Sequence, residues 1–122
     1  MTDNKGFARE LEARTRRFAV RVIRLSGKLP NSIESKVIRN QLTKAGTSIG
    51  ANYREANRSR SKADFKSRIR TCESEASETQ YWLQILTEVE FAPPPDVKPI
   101  FDECSELLAL FTSIGRKCAK VS

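Results

Sequence analysis

Residues 65–86 read FKSRIRTCESEASETQYWLQIL, and within them Phe65, Ile69, Cys72, Ala76, Thr79, Leu83 and Leu86 alternate spacings of four and three. A half-buried strand would repeat every second residue. A helix of 3.6 residues per turn instead gathers such positions along one side. The stretch therefore reads as one long helix with a heptad seam. Val97, Ile100, Cys104, Leu107, Phe111, Ile114 and Cys118 repeat the pattern with the opposite phase. The two runs are separated by Pro93-Pro94-Pro95, which a continuous helix cannot tolerate, because each proline removes an amide donor and its ring clashes with the preceding turn. These are a third and a fourth helix.

Toward the N-terminus, Ile38, Leu42, Ala45, Ile49, Asn52 and Ala56 form a second-helix stripe, preceded by Pro30-Asn31-Ser32. Asn31 or Ser32 can cap its exposed amides, and its exit falls near residues 57–61. Ala8, Leu11, Thr15, Phe18, Val22 and Leu25 give a weaker first helix, ended by Ser26-Gly27. Short connections oblige consecutive helices to run antiparallel, and four helices with seams of about 3.5-residue period pack as an up-down-up-down bundle. The expected fold class is all-α, an antiparallel four-helix bundle, with residues 1–122 as a single domain. A chain of 122 residues is long enough for an independent core, since such a domain buries about two-thirds of its unfolded surface.

Composition excludes several function classes. Apolar residues make up 39% and charged residues 30%, with five Gly and five Pro, a profile of helices rather than of a turn-rich β protein or a disordered tail. Histidine is absent, which removes the usual general base and with it Ser-His and Cys-His nucleophiles. The three cysteines, Cys72, Cys104 and Cys118, form no CxxC pair and occupy seam positions, so they read as core thiols rather than as a zinc site or a disulfide framework. The best remaining catalytic constellation is Glu73, Glu75 and Glu78 with Asp64. Carboxylate metal bundles normally add Glu-x-x-His pairs from facing helices, and none can exist here. The expectation is a non-enzyme with no metal and no cofactor. No apolar run approaches the roughly 20 residues needed to cross a bilayer, so no membrane role and a cytoplasmic location are expected.

Two features call for partners. Tyr81 and Trp82 lie just outside the third seam, and Phe101 and Leu108 one position beyond the fourth. Large apolar groups so placed either form a subunit contact, widen the core, or, for Tyr81 and Trp82, stack on bases. Ala45, Gly46, Ser48, Gly50 and Ala51 crowd the second helix, and each interior glycine costs about 1 kcal/mol relative to alanine. Close backbone approach, within the bundle or between subunits, would offset that. Asn52 falls on the seam and needs a partner, for which Glu73 is the candidate.

Charge is uneven. Residues 1–60 hold 14 Lys+Arg against five Asp+Glu, whereas residues 61–122 hold eight against ten, so the first half is +9 and the second −2 of a total of +7. Arg14, Arg17, Arg21, Arg24 and Lys28 line up as one ridge on the first helix. The up-down topology brings Arg54, Arg58, Arg60, Lys62 and Lys66 to the same end as Arg9, Arg116, Lys117 and Lys120. Glu88, Glu90 and Asp96 mark the opposite end. Such a field draws phosphate polymers, with affinity falling steeply in salt, although a solvated basic face is the plainer alternative. Arg14, Arg17, Arg21, Arg24, Arg54, Arg58, Arg60 and Lys62 are the candidate nucleic-acid contacts. Without a zinc-finger, RNA-recognition or KH motif, RNA or DNA would be read by backbone and shape.

The stretch QLTKAGTSIGANYREA (residues 41–56), followed by SKADF (61–65) and EASETQYWL (75–83), resembles the bacterial four-helix-bundle family whose founding members are encoded in intervening sequences of 23S ribosomal RNA genes. The resemblance implies a left-handed up-down-up-down bundle, a ring-like homopentamer and no established enzymatic activity. Proteins of similar architecture serve as accessory subunits of diversity-generating retroelements, where a basic pentamer contacts a reverse transcriptase and nucleic acid. A nucleic-acid or protein partner is implied here by analogy alone. Ser48, Gly50, Asn52, Arg54, Glu55, Asp64, Phe65, Glu75, Glu78 and Trp82 match the motif as structural or assembly positions.

Overall fold

The computed structural model describes the backbone of residues 4–121 and the side chains of residues 4–119. The Lys120 side chain and the extreme ends of the 1–122 domain therefore lie outside the described residues. Four helices follow one another: α1 Asn4–Ser26, α2 Ile33–Ala56, α3 Lys62–Glu88 and α4 Pro94–Val121.

The starts of α2 and α3 are set by serine caps. The Ser32 hydroxyl accepts from the Ser35 amide at 3.1 Å and the Ser61 hydroxyl from the Asp64 amide at 3.0 Å, each satisfying one donor that the first turn leaves open. Of the three consecutive prolines, only Pro93 lies outside α4. Pro94 and Pro95 form its first turn, where a missing amide breaks no helical bond. The α3 C-terminus closes in a Schellman motif: the Phe91 amide donates to the Leu86 carbonyl at 3.2 Å, and the Glu90 amide to the Thr87 carbonyl at 3.1 Å. Glu90 carries φ 59°, a left-handed conformation usually left to glycine.

Side-chain pairings fix the order of packing. Glu12 meets Asn57, Thr15 lies against Gly50, Val22 against Gly46, and Ser26 meets Thr43. Rising numbers on α1 face falling numbers on α2, so the two run in opposite directions. Cys72 with Ile49 and Arg68 with Asn52 do the same for α2 and α3. Cys104 with Ala76 and Thr112 with Glu73 do so for α3 and α4. The fourth side closes where α1 meets α4, through Arg14 and Glu103. Each helix thus packs on two neighbours, and among the described residues the diagonal pairs make no comparable contact.

All four helices contribute to one core, with Phe18, Leu42, Ile49, Ile69, Leu83, Leu86, Leu107 and Phe111 almost fully buried. Tyr53 reaches the Phe111 ring edge-on at 5.4 Å. Its burial corrects the α2 stripe, because Tyr53 rather than Asn52 occupies the seam. A strict heptad drifts about 20° per repeat on a 3.6-residue helix, so by the end of α2 the next residue has rotated inward. Asn52 is half-buried beside the seam. It donates to the Ser48 carbonyl at 2.9 Å and accepts from Arg68 at 3.4 Å. Glu73 turns toward α4 and accepts from the Thr112 hydroxyl, so the expected Asn52–Glu73 pair does not form.

The α2 glycines work inside the bundle. A Cβ at Gly46 would meet the Val22 methyls at 2.8 and 2.9 Å, and one at Gly50 the Thr15 hydroxyl at 2.9 Å. Only glycine lets the α1 and α2 backbones approach this closely.

Candidate functional site

The expected ridge on α1 divides in the structure. Arg14 turns toward α4, where Nε and Nη2 donate to the two Glu103 carboxylate oxygens at 2.7 Å each, with Glu106 at 3.4 Å. This two-point bond holds the Glu103 carboxyl below the usual carboxylate range and raises the Arg14 guanidinium, with burial opposing both. Arg17 donates to Glu10 at 2.9 Å on the exposed side of the same helix. Arg21, Arg24 and Lys28 border a shallow groove with Asp96, Pro99 and Ile100 of α4. On this side acidic groups of the second half meet the cations of the first.

The α1–α2 side differs. Arg16, Arg54 and Arg58 flank a groove of about 430 Å³ floored by Ala19, Gly50 and Ala51 and also lined by Glu12, whose carboxylate accepts from Asn57 at 2.8 Å. The glycine that lets the backbones meet also keeps this floor low. Beyond it, the α2–α3 turn carries Arg60 and Lys62 to the end of the bundle, where Lys66 and Lys117 join them around a larger pocket. Among the described residues none of these seven cations forms an ion pair, in contrast to Arg14, Arg17 and Lys98. Sequence reasoning named Arg54, Arg58, Arg60 and Lys62 but left out Arg16. It lies off the three-four row, and only the helix pairing brings it opposite Arg54 and Arg58.

The apolar candidates also separate. Trp82, Phe101 and Leu108 are half-buried and pack against the core of their own chain, with the Trp82 indole donating to Glu78 at 3.2 Å. Tyr81 stands out at 53% exposure, edge-on to Trp82. Other exposed aliphatics lie elsewhere, at Val20, Ile23, Ile33 and Val37 of α1 and α2 and at Val89 just after α3. Their heptad phase resembles that of their polar neighbours, so the sequence offers little signal for them.

The matched motif positions have local roles. The Ser48 hydroxyl donates to the Lys44 carbonyl at 2.6 Å, while Glu55 and Asp64 are exposed near the ends of α2 and α3. Burial and then Glu78 push the Glu75 carboxyl above its ordinary range. Asp64, Glu73, Glu75 and Glu78 are spread along α3, and no group of three or more ligating side chains among the described residues is placed to hold a metal. Burial pushes the Cys72 and Cys104 thiols up to about 12, and each donates to a carbonyl of the neighbouring helix, Ile49 at 3.4 Å and Ala76 at 3.2 Å. Cys118 is half-exposed at the open end of the bundle. No helix is long and apolar enough to cross a membrane among the described residues.

The fold and the distribution of charge define a four-helix bundle with an excess of cations, free of ion pairs among the described residues, on one groove and one end. The profile of the 23S rRNA-intervening sequence protein family matches residues 10–113, and the chain belongs to that family. Among solved structures it is similar to a protein of unknown function from the S23 ribosomal protein family of Bacteroides thetaiotaomicron. The two share 36% identity and superpose with a TM-score of 0.80 over 85% of this chain and 96% of that one. No curated protein matches the sequence.

Proposed function

We propose that this chain is a non-enzymatic, cytoplasmic, homo-oligomeric bundle that serves as an accessory or scaffold protein by holding the phosphate backbone of RNA or DNA on its α1–α2 groove. The observation that carries this reading is the trio Arg16, Arg54 and Arg58, without ion pairs along a groove that also holds Gly50, Ala51 and a single carboxylate, Glu12, against three guanidinium groups. Each phosphate they neutralise releases condensed counterions, the main source of sequence-independent affinity. Guanidinium forks suit phosphate oxygens better than they suit bulk water. The resemblance to a pentameric family supports assembly, and a ring would multiply the groove and raise avidity.

A second reading is a structural or protein-binding pentamer with no nucleic-acid ligand. Exposed Tyr81 and the aliphatic groups Val20, Ile23, Ile33 and Val37 favour it.

Fluorescence anisotropy of nuclease-treated protein against structured RNA, duplex DNA and single strands, with mass by light scattering on the same sample, separates the two. Binding that survives near-physiological salt and is abolished by Arg54→Glu with Arg58→Glu, in a still-folded oligomer, supports the first. Binding unchanged by the double reversal removes the groove from consideration. Absence of binding at that salt leaves the protein-binding reading.

A further inference from the structure

The pocket at the end of the bundle differs in kind from the groove beside it. It has a volume of about 880 Å³ and is lined by Arg60 from the α2–α3 turn, Lys62 and Lys66 from the start of α3 and Lys117 from the end of α4, around Phe65 and Ile114. Phe65 and Ile114 are half-buried: each packs one side on the core and leaves the other to the pocket. Lys66 is itself half-buried and makes no ion pair among the described residues. A surface that gripped only the outside of a duplex would have no use for an apolar hollow among its cations. A ligand that fits must present an apolar face and negative charge within a few ångströms of each other.

Continuity decides the kind of ligand. Arg58 ends the α1–α2 groove and Arg60 begins the pocket, two residues apart on one turn. The cations therefore form a single track that passes from the groove around the end of the bundle. A lone anionic headgroup would engage one stop on that track, whereas a polymer with a charge at every repeat engages it throughout. A strand with unstacked bases supplies both parts, phosphates for the track and a flat apolar face for the aromatic ring.

We infer that this end pocket receives an unpaired nucleobase of a single-stranded segment, stacked on Phe65 and flanked by phosphates held by Arg60, Lys62, Lys66 and Lys117. The inference rests on the phosphate-binding reading above and narrows it to single strands or to loops and ends of structured RNA.

The test uses the full-length protein and three labelled probes of equal length: an oligoadenylate, the same strand paired to its complement, and an abasic strand that keeps the phosphates without the bases. The single strand binds tightest, and the abasic strand loses on the order of tenfold or more, the range of one base–aromatic stack. Phe65→Leu, which keeps an apolar group against the core, weakens the oligoadenylate by a similar factor and leaves the abasic strand and the duplex unchanged. Equal affinity for the abasic and normal strands overturns the base pocket while leaving the phosphate track standing, as does an oligoadenylate affinity unmoved by Phe65→Leu. Failure of all three probes overturns both readings. Saturable binding of a long-chain fatty-acid anion, blocked by Phe65→Leu and unaccompanied by strand binding, overturns the inference in favour of an amphiphile. The wild-type comparison of normal and abasic strands needs no variant, so it stands even if residue 65 tolerates no change.

Discussion

The α1–α2 seam and the α3–α4 seam solve the same packing problem in opposite ways. Between α1 and α2, side chains are removed: Gly46 and Gly50 leave room for Val22 and Thr15, and the backbones close on each other. Between α3 and α4, the space is filled. Leu83, Leu86, Leu107 and Phe111 are buried, Cys104 is bonded to the Ala76 carbonyl, and Gln80 donates to Ser105 at 2.9 Å. The difference extends to charge. The bare seam leaves Arg16, Arg54 and Arg58 without ion pairs on an outer groove that holds one carboxylate, Glu12, while acidic groups from α4 meet the α1 cations that face them. Where a bundle gives up volume it gains a surface groove, and where it keeps volume it gains stability.

The filled side should suffer most from truncation. Leu107→Ala, at a fully buried position, is expected to cost about 2–5 kcal/mol through lost burial and a residual cavity, read by urea denaturation. The bare side should suffer from addition. Gly46→Ala gains helix propensity, yet its methyl meets two Val22 methyls at under 3 Å, so a net loss of about 1–3 kcal/mol is expected. Combining it with Val22→Ala should recover part of that loss. Simple addition of the two penalties would refute the close-approach account.

Next in size is the join between the two halves. Glu103→Gln should cost about 1 kcal/mol at neutral pH, reduced by partial solvent screening. Because the folded-state Glu103 carboxyl titrates below its unfolded value, its contribution is complete above about pH 4.3 and fades as pH falls through the lowered folded value. Acid denaturation of the wild type should therefore carry a component that the glutamine variant lacks. Smaller still, Glu90→Gly should stabilise the chain by about 0.5–1 kcal/mol by relieving the left-handed backbone. A loss of stability there would mean that the glutamate side chain makes up for its strain. Finally, with no change in stability at all, a thiol reagent should modify Cys118 in the native protein and reach Cys72 and Cys104 only on unfolding, since burial holds both thiols.

The helices were legible because their signals are local. The three-four spacing of α3 and α4, the proline break and the capping serines each lie within a few residues of what they determine. Tyr53 was hidden by the assumption of a strict heptad, which a straight helix leaves behind after two or three repeats. Glu90 was hidden because nothing about a glutamate advertises a positive φ. The charge pattern was half legible: the arginines of α1 stand in a row in the sequence, but that Arg14 is engaged by Glu103 depends on a residue 89 positions away. Arg16 joins Arg54 and Arg58 only through the same long-range pairing of helices. The resemblance to the family agreed with the fold already read from the stripes, and the distribution of free and paired cations emerged only in the structure.

Gly50 carries no charge and touches no ligand, yet it sets a distance. Because α2 presents only a hydrogen at that point and the Thr15 side chain of α1 fills the space a Cβ would take, the gap between Arg16 on one helix and Arg54 and Arg58 on the other is set by one short, buried contact. The seam acts as a calliper for the cations, and on the phosphate-binding reading proposed above the size of a single uncharged residue would tune how well they match the spacing of phosphates along a strand.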